Sequence, residues 1–223
     1  MRDSVRDFVA LCSRHLPLRE PIYEFGSYQV SGQESAIDLR PMFSGKRYVG
    51  ADMRPGPGVD VVLNLHAIDL RDASVGTALV LDTIEHVEFV REALKEVYRI
   101  LDADGIVILS SVMNFPIHSY PNDYWRFTPE SFRSLLAPFR SRYVTALGRR
   151  DFPHTVIGVG FKGPIPEETL ARFEAAADKW SARWRWRIFL GWKEWVRRLV
   201  PPVIVESYMQ MKIRRDARED RDS

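Results

Sequence analysis

The side chains best suited to chemistry in this sequence follow short apolar segments. Gly26 comes directly after the segment Pro21–Phe25, and Asp52 ends the segment 46–52. A glycine after a strand permits a tight turn and a close approach of a ligand to the backbone. An acid after the next strand can accept hydrogen bonds from ribose hydroxyls. Although each is also common at ordinary strand ends, their order and their separation of 26 residues together predict a nucleoside-containing cofactor.

The glycine pattern after the first segment argues against a dinucleotide. A pyrophosphate is usually held by the pattern G-x-G-x-x-G at the start of a helix. Here only the outer glycines of the stretch Gly26–Gly32 are present, and the bulky Tyr28 lies between them. The sequence therefore favours a cofactor without phosphates, and an NAD(P)-dependent oxidoreductase is the enzyme alternative.

A second group of polar and aromatic residues begins at His118, in a predicted loop after the fifth strand. Histidine can accept a proton near neutral pH, so we expect His118 to act as a general base. Arg126 could anchor an anionic or sugar-like acceptor, and Tyr124 or Trp125 could stack on it. In the alternative interpretation, Arg126 and Asp123 form a structural ion pair and Trp125 lies in the core.

Other kinds of site have weaker support in the sequence. His66 and Asp69 are spaced like a pair of metal ligands, but no nearby residue completes a set, so we expect no metal. The pair Ser110 and Ser111 lacks the context of a catalytic nucleophile, which disfavours a hydrolase. His86 stands at the start of a predicted helix, where we expect a structural role or a contact with cofactor or substrate.

Alternating strands and helices must position these residues. Apolar strands alternating with helical segments predict an α/β fold, with a Rossmann-like, doubly wound, mostly parallel seven-stranded sheet and helices on both faces. Such sheets bind ligands beyond the carboxyl ends of their strands. We expect Thr128 to cap one helix and Gly105 to end another. The predicted strands are 21–25, 46–52, 59–63, 77–81, 106–110, 143–147 and 155–159, and the predicted helices are 5–16, 86–101 and 129–139.

The composition is that of a globular protein. Its 223 residues are 45% hydrophobic and 28% charged, which excludes a collagen-like or wholly disordered chain. The single cysteine, Cys12, excludes an internal disulfide and indicates a reducing compartment. The sequence shows no signal peptide, and no apolar stretch approaches the roughly 18–20 residues that span a bilayer. We therefore expect a cytoplasmic protein.

Charge and tryptophan content divide the chain in two. Residues 179–223 carry 12 basic and 6 acidic side chains, so the preceding part is net acidic and unsuited to binding nucleic acid. Five of the six tryptophans lie between Trp180 and Trp195, and four of them belong to an apolar stripe with helical spacing over residues 170–199. We expect a cofactor-binding domain at 1–165 and a basic, tryptophan-rich helical extension at 166–223. The extension could pack on its own domain, self-associate, or bind the inner face of an anionic membrane.

Several segments between residues 20 and 140 occur in a recognisable order. Glu24–Ser27, Tyr48–Asp52, Asp82–Val87 and Leu94–Gly105 are, in that order, similar to the motifs of class I S-adenosylmethionine-dependent methyltransferases of the type-11-like group. The resemblance covers somewhat more than half of the chain. It implies S-adenosylmethionine as the cofactor.

Two further segments resemble a narrower group, and two positions depart from the family pattern. Pro55–Asp60 and His118–Thr128 are similar to a subgroup found among polysaccharide-biosynthesis enzymes. Tyr28 occupies the position of a usual motif glycine, which leaves the path of that loop undetermined. Asp104 replaces the first glycine of the usual pair before the fifth strand. Neither departure removes a catalytic atom.

The resemblance also implies roles for individual residues. Glu24 and the backbone of Gly26 and Ser27 would hold the amino-acid end of the cofactor, whose ammonium favours a carboxylate. Asp52 would bind the ribose hydroxyls, and Met53 would pack against adenine. The other implied contacts are Asn64, unless it only forms a turn, and Leu65 at the adenine edge, with Asp82 and Thr83 along the methionine portion.

These roles lead to a predicted reaction. The enzyme would move a methyl group by in-line displacement to a small or glycan-like acceptor at a hydroxyl. His118 would take the proton, while His86, Asp123, Tyr124, Trp125 and Arg126 would contact the acceptor. A non-catalytic protein that binds the cofactor, or a membrane accessory protein, is the alternative.

Overall fold

Strands and helices alternate along the chain in the computed structural model, which describes residues 2–29, 38–118 and 122–189. Within these residues, two 3-10 helices cover Arg40–Phe43 and Ile84–His86. The other elements are α1 (Asp3–His15), β1 (Ile22–Phe25), β2 (Tyr48–Asp52), β3 (Val61–Val62), β4 (Val75–Leu81), α2 (Val90–Ile100), β5 (Leu101–Val112), α3 (Pro129–Leu135), β6 (Ser141–Gly148), β7 (Pro153–Phe161) and α4 (Glu167–Phe189).

The seven strands form one sheet in the order β3-β2-β1-β4-β5-β7-β6. All pairs among β1 to β5 are parallel, and β7 is antiparallel to both β5 and β6. β1 lies between β2 and β4, so the carboxyl ends of these three strands meet at one edge. This architecture confirms the predicted seven-stranded, mostly parallel sheet.

Helices cover both faces of the sheet. Residues of α2 and α3 share a buried cluster with β-strand residues that include Tyr23, Val107 and Val156. Phe161 lies five positions after Val156 on β7 and therefore points to the opposite face. There it packs edge-on against Phe173 of α4, which also contacts Phe8 of α1. The sheet is thus enclosed between α2 and α3 on one side and α1 and α4 on the other.

The predicted helix 86–101 is shorter at its start than expected, and Gly105 does not end it. α2 begins at Val90 and ends at Ile100, because Leu101 takes an extended conformation and pairs with Val75 of β4. The ammonium of Lys162 binds the carbonyl of Leu101, at the end of the helix. Gly105 lies within β5, where an added Cβ would meet the side chain of Leu101 at 2.9 Å.

The capping prediction for α3 is confirmed. The Thr128 hydroxyl accepts a hydrogen bond from the Ser131 amide at 3.1 Å, and the Ser131 hydroxyl contacts the Thr128 amide at 2.9 Å. Pro129 occupies the first turn, where its missing N–H costs nothing. The helix ends at Leu135, earlier than the predicted Phe139, because the following residues form turns.

The chain divides into two compact units, residues 1–182 and 183–223. Within the first unit, the early part of α4 packs on the domain: Phe173, Ala177 and Trp180 are buried, and the Trp180 ring lies 4.8 Å from that of Phe8. The domain boundary at 165/166 stays a prediction. The later stripe positions Ile188, Trp192, Trp195 and Leu199 lie outside the side chains that the structure describes.

None of the helices described here is long and apolar enough to cross a membrane.

Candidate functional site

A cavity of about 560 Å³ opens where the strands β1, β2 and β4 end. This volume lies within the range of about 300–1,000 Å³ that small-molecule sites occupy. All of the predicted cofactor residues except Ser27 line the cavity. Among the residues predicted to contact the acceptor, Asp123, Trp125 and Arg126 do not line it. The predicted residues that do line it are Glu24, Gly26, Asp52, Met53, Asn64, Leu65, Asp82, Thr83, His86, His118 and Tyr124.

The turn after β1 brings two strand ends together. Gly26 has a φ of +86° and donates its N–H to the carbonyl of Ala51 at 2.8 Å. A Cβ at this position would lie 2.2 Å from the Thr83 hydroxyl oxygen. Thr83 in turn contacts the carbonyl of Leu81 at 2.9 Å. The backbone after β1 can therefore approach the end of β4 only because residue 26 has no side chain.

Glu24 places a buried carboxyl group in the cavity. Its side chain lies on β1, is 6% exposed and accepts a hydrogen bond from the Tyr48 hydroxyl. Burial raises the pKa of Glu24 to about 7, and the hydrogen bond from Tyr48 opposes this shift. A cationic ligand group in the cavity would stabilise the ionised carboxylate.

Asp52 at the end of β2 is held in place by the turn that follows. Its Oδ1 accepts a hydrogen bond from the Arg54 amide at 3.0 Å, and its Oδ2 accepts one from the Tyr28 amide at 3.3 Å. The Arg54 guanidinium lies over the Tyr28 ring at 4.6 Å, and Gly56 leaves room for that ring. Tyr28 is thus accommodated beside Asp52 within the described part of this loop, residues 26–29.

Asn64 forms a turn at the far side of the cavity. Its side-chain oxygen accepts hydrogen bonds from the amide and the Nδ1 of His66, at 2.9 and 3.1 Å. The Nε2 of His66 accepts a hydrogen bond from the Phe89 amide, so both ring nitrogens of His66 are engaged. The turn-forming role of Asn64 is therefore present in the structure. Its side-chain NH₂ is the group that remains for an adenine edge.

Asp82 directly follows β4 and has a φ of +46°. The Ser110 hydroxyl donates to its Oδ1 at 2.8 Å, and Arg2 Nη1 lies 3.9 Å from the same oxygen. Arg2 also donates to the Thr155 hydroxyl and lies over the Phe115 ring at 5.1 Å. Arg2 and Phe115 could not be predicted from the sequence, because no local pattern shows that the amino-terminal segment brings a cation to this cavity.

A second group of side chains lies around His86 and His118, which both line the cavity. His86 and His118 meet edge to face, with ring centroids 4.7 Å apart. The Nδ1 of His86 contacts the carbonyl of Asn122 at 2.5 Å, and the Nδ1 of His118 lies 3.1 Å from Asp123 Oδ2. Since these oxygens accept hydrogen bonds, each histidine in its neutral form carries its proton on Nδ1 and presents the lone pair of Nε2.

Glu85 lies beside the two histidines and was assigned no role from the sequence. Its side chain is 1% exposed, and its Oε2 accepts a hydrogen bond from the Ser111 hydroxyl at 2.7 Å. Burial, assisted by the nearby Asp82 carboxylate, raises the pKa of Glu85 to about 7. Sequence analysis found no set of metal ligands, but one donor atom from each of Glu85, His86 and His118 lies within 4.8 Å of the others.

Arg126 is fully engaged within its own loop. Its Nε and Nη2 donate to the carbonyls of Phe115 and Pro116, at 3.2 and 3.0 Å. Its two Nη atoms also bind the two Asp123 oxygens at 2.5 and 2.6 Å, and Nη1 donates to the Trp125 carbonyl. These contacts use all five N–H donors. The arrangement supports the alternative of a structural ion pair, and it leaves Arg126 no donor for an acceptor anion.

The aromatic residues of this loop are anchored through Glu85. The Glu85 carbonyl accepts the amide of Tyr124 at 2.8 Å and that of Trp125 at 3.3 Å. The Trp125 indole N–H donates to the carbonyl of Val87 at 3.0 Å, while the ring is 46% exposed. Trp125 is therefore a half-exposed residue and not part of the core that the alternative interpretation required.

The comparisons with known proteins agree with this architecture. Residues 32–109 match a family model described as a methyltransferase domain. No curated protein is similar enough in sequence to count as a match.

Solved structures share the fold at low sequence identity. A S-adenosylmethionine-dependent methyltransferase from Archaeoglobus fulgidus is 14% identical, with a TM-score of 0.52, covering 70% of this chain and 94% of that one. The 1,6-didemethyltoxoflavin-N1-methyltransferase of Burkholderia thailandensis is 18% identical, with a TM-score of 0.51 and coverages of 73% and 79%. The citrinin polyketide synthase CMeT domain is 12% identical, with a TM-score of 0.52; the match covers 65% of this chain but only 46% of that one.

The structural and the sequence comparisons support different conclusions. The structural similarities establish the fold, and the family match covers the segment from the turn after β1 to β5. That segment holds Asp52, Asn64 and Asp82, which line the cavity. Residues 32–109 are therefore similar to a methyltransferase domain, the chain has the fold of S-adenosylmethionine-dependent methyltransferases, and S-adenosylmethionine is the cofactor that the comparisons support.

Proposed function

We propose that this protein transfers the methyl group of S-adenosylmethionine to a hydroxyl group of a small or glycan-like acceptor. One observation carries the proposal: a single cavity is lined both by the cofactor positions at the ends of β1, β2 and β4 and by His118. Transfer from a sulfonium needs the alignment of nucleophile and methyl carbon and, for a hydroxyl, removal of a proton.

The residues of the cavity fit the groups of this cofactor. The buried carboxyl group of Glu24 suits an ammonium ion, because an ion pair would offset the cost of burying a charge. Asp52, the last residue of β2, presents its carboxylate oxygens to the cavity, where ribose hydroxyls can donate hydrogen bonds to them. Met53 is exposed beside Asp52 and offers an apolar surface for adenine. When bound, S-adenosylmethionine supplies an activated methyl group.

In the protein without a bound metal ion, Nε2 of His118 is the proposed proton acceptor. The carboxylate of Asp123, only 2% exposed, lies 3.1 Å from Nδ1 and orients the ring. The Arg126 guanidinium beside Asp123 holds the pKa of that carboxyl group well below its usual range. Asp123 therefore stays ionised and would stabilise the imidazolium that forms when Nε2 takes the acceptor proton. Asp123 is thus proposed as a positioning residue.

The glycan-like nature of the acceptor rests on the motif resemblance at Pro55–Asp60 and His118–Thr128. Tyr124 supports it, because its ring lines the cavity and is 42% exposed. Two of the structural neighbours are, by their names, a 1,6-didemethyltoxoflavin-N1-methyltransferase and a domain of a polyketide synthase, so the shared fold favours no acceptor class.

The proposed function is tested in two steps. Titration calorimetry with S-adenosylhomocysteine, and with NAD as comparator, should show binding of the first compound only. A panel of hydroxylated small molecules and glycans is then assayed with labelled S-adenosylmethionine. Binding without any transfer would favour a non-catalytic role, and binding of NAD alone would overturn the proposal.

Replacing His118 by glutamine is expected to lower turnover about 10²–10⁴-fold, the usual contribution of a general base. Affinity for S-adenosylhomocysteine should stay unchanged, because none of the proposed cofactor contacts is made by His118. His15→Gln, at an exposed position on α1, is the matched control. Near-normal turnover by the His118 variant would contradict the assignment.

The affinity for S-adenosylhomocysteine should increase with pH through about 7. The pKa of Glu24 is raised to about 7 in the ligand-free protein, and only the ionised carboxylate attracts the ligand ammonium. Since less than a tenth of the group is ionised one unit below its pKa, binding at pH 6 should be about tenfold weaker than at pH 8. Glu24→Gln should remove this pH dependence, and a pH-independent affinity of the unaltered protein would contradict the role.

The location of the protein and the partner of its C-terminal extension stay predictions. Burial of Phe173 and Trp180 supports packing on the domain for the first part of α4. Self-association and binding to an anionic membrane are the proposed alternatives for the positions that follow. Sedimentation of the protein with anionic liposomes at low salt distinguishes them, since only the second predicts co-sedimentation.

A further inference from the structure

We propose that Glu85, His86 and His118 form a binding site for a divalent transition-metal ion. The donor atoms of the three side chains lie within 4.8 Å of one another. Two imidazoles and one carboxylate suit zinc, cobalt and ferrous ions, and differ from the all-oxygen sets that magnesium and calcium prefer. Binding of the ion does not depend on the proposed methyl transfer.

The histidines are oriented as metal ligands usually are. A ligating imidazole typically donates its other N–H to a carbonyl or a carboxylate, which fixes the ring and its tautomer. His86 makes this contact with the Asn122 carbonyl at 2.5 Å. His118 makes it with Asp123 Oδ2 at 3.1 Å and with the Pro116 carbonyl at 3.2 Å. Both Nε2 lone pairs are thereby left for a metal.

Glu85 provides the independent observation that points to a cation. Its Oε2 is satisfied by Ser111, but its Oε1 is buried and has no hydrogen-bond partner within the part of the chain that the structure describes. A buried carboxylate oxygen without a partner destabilises the fold, because nothing offsets the loss of its hydration. A metal ion coordinated by this oxygen would remove that cost and balance the buried charge.

The spacing of the donors permits coordination after a small closure. In a tetrahedral site with bonds of about 2.1 Å, neighbouring donor atoms are about 3.4 Å apart. Donor atoms that lie within 4.8 Å of one another must therefore approach by at most about 1.5 Å. Rotation of the half-buried imidazoles can supply this movement.

The site lies in the wall of the cavity, since all three residues line it. Three protein ligands leave at least one coordination position open, as in catalytic zinc sites. An acceptor hydroxyl at that position would lose its proton to water more readily, because a divalent ion lowers the pKa of a bound oxygen by several units. When the ion is bound, Nε2 of His118 coordinates it and cannot accept the hydroxyl proton. The ion would then activate the hydroxyl in place of His118.

The test measures metal binding directly, without methyl transfer. The tag-free 223-residue protein is treated with a chelator, dialysed and titrated with Zn²⁺ by calorimetry, and with Co²⁺ by visible absorption. We expect one ion per chain with micromolar or tighter affinity. We also expect the strong visible absorption of Co²⁺ in a four- or five-coordinate site.

Variants locate the site. Glu85→Gln preserves the hydrogen bond from Ser111 and should weaken zinc binding at least tenfold. His86→Ala should have the same effect. It changes a less buried side chain, so it tests the site even if Glu85→Gln does not fold. His15→Ala and His66→Ala, which change histidines outside the cluster, should leave zinc affinity unchanged. Absence of zinc binding, or equal binding by all variants, would overturn the proposal.

A parallel titration of the chelated protein with S-adenosylhomocysteine separates this proposal from the proposed function. Cofactor binding without zinc binding would overturn the metal site alone. Zinc binding that depends on Glu85 and His86, without cofactor binding, would support the metal site and overturn the proposed function.

Discussion

Replacing Asp52 by alanine is expected to weaken S-adenosylhomocysteine binding about 100-fold. The variant would lose the two proposed hydrogen bonds from ribose hydroxyls to the carboxylate, each worth about 1.5 kcal/mol, and their sum corresponds to roughly two orders of magnitude in Kd. Asp52 is 9% exposed and lines the cavity, so little water replaces these contacts. Titration calorimetry at constant pH measures the change.

The control variants separate ribose binding from damage to the turn. Asp52 also accepts the amides of Tyr28 and Arg54. Asp52→Asn keeps the side-chain shape and one oxygen, and should lose only about tenfold in affinity, because the hydrogen bonds are no longer charge-assisted. Asp69→Ala removes an exposed acid outside the cavity and should have no effect. A loss of less than fivefold in Asp52→Ala would show that Asp52 is not the ribose ligand.

Replacing Gly26 by alanine is expected to lower the free energy of unfolding by about 3 kcal/mol. Part of the loss comes from a φ of +86°, which costs a residue with a side chain about 1–2 kcal/mol. The rest comes from the added methyl group, 2.2 Å from the Thr83 hydroxyl oxygen, since overpacking costs about 1–3 kcal/mol. For a chain of this size the midpoint of thermal unfolding should fall by about 6–12 °C.

Gly45 provides a matched control for the backbone contribution. Its φ is +81°, nearly that of Gly26, but no described atom lies within 4 Å of an added Cβ. Gly45→Ala should therefore lose only about 1 kcal/mol, or about 2–4 °C. Thr83→Ala removes the hydroxyl that the added methyl group at position 26 would meet. In the Thr83→Ala background, Gly26→Ala should therefore lower the free energy of unfolding by less than it does in the unaltered protein. Equal losses for Gly26→Ala and Gly45→Ala would contradict the proposed clash.

The cofactor side of the cavity could be predicted because it depends on local sequence and on one general rule. The apolar segments before Gly26, Asp52 and Asp82 are long enough to identify strands β1, β2 and β4. Parallel strands end at the same edge, so residues that follow them lie close together without further information. The same rule predicts that Asn64 lines the cavity but says less about its role, because its side-chain oxygen is used in a turn that the rule does not describe.

The acceptor side could not be predicted to the same extent. The segment after β5 has no regular period, and its path is set by long-range hydrogen bonds: the Glu85 carbonyl holds the amides of Tyr124 and Trp125. Arg126 was a candidate anchor by residue type, but the folded loop surrounds it with carbonyl groups and with Asp123. Residue type shows what a side chain can bind, whereas its neighbours determine whether its donors are still available.

The sequence by itself determined the α/β fold class, the order of strands and helices, and the polar residues at the strand ends, because hydrophobic periodicity and turn residues are local properties. Only the tertiary structure decided that Glu85, His86 and His118 meet, that Arg2 reaches Asp82 from the amino-terminal helix, and that Trp180 packs on Phe8. These contacts join residues distant in sequence. Their geometry follows from the packing of whole elements, which local patterns do not specify.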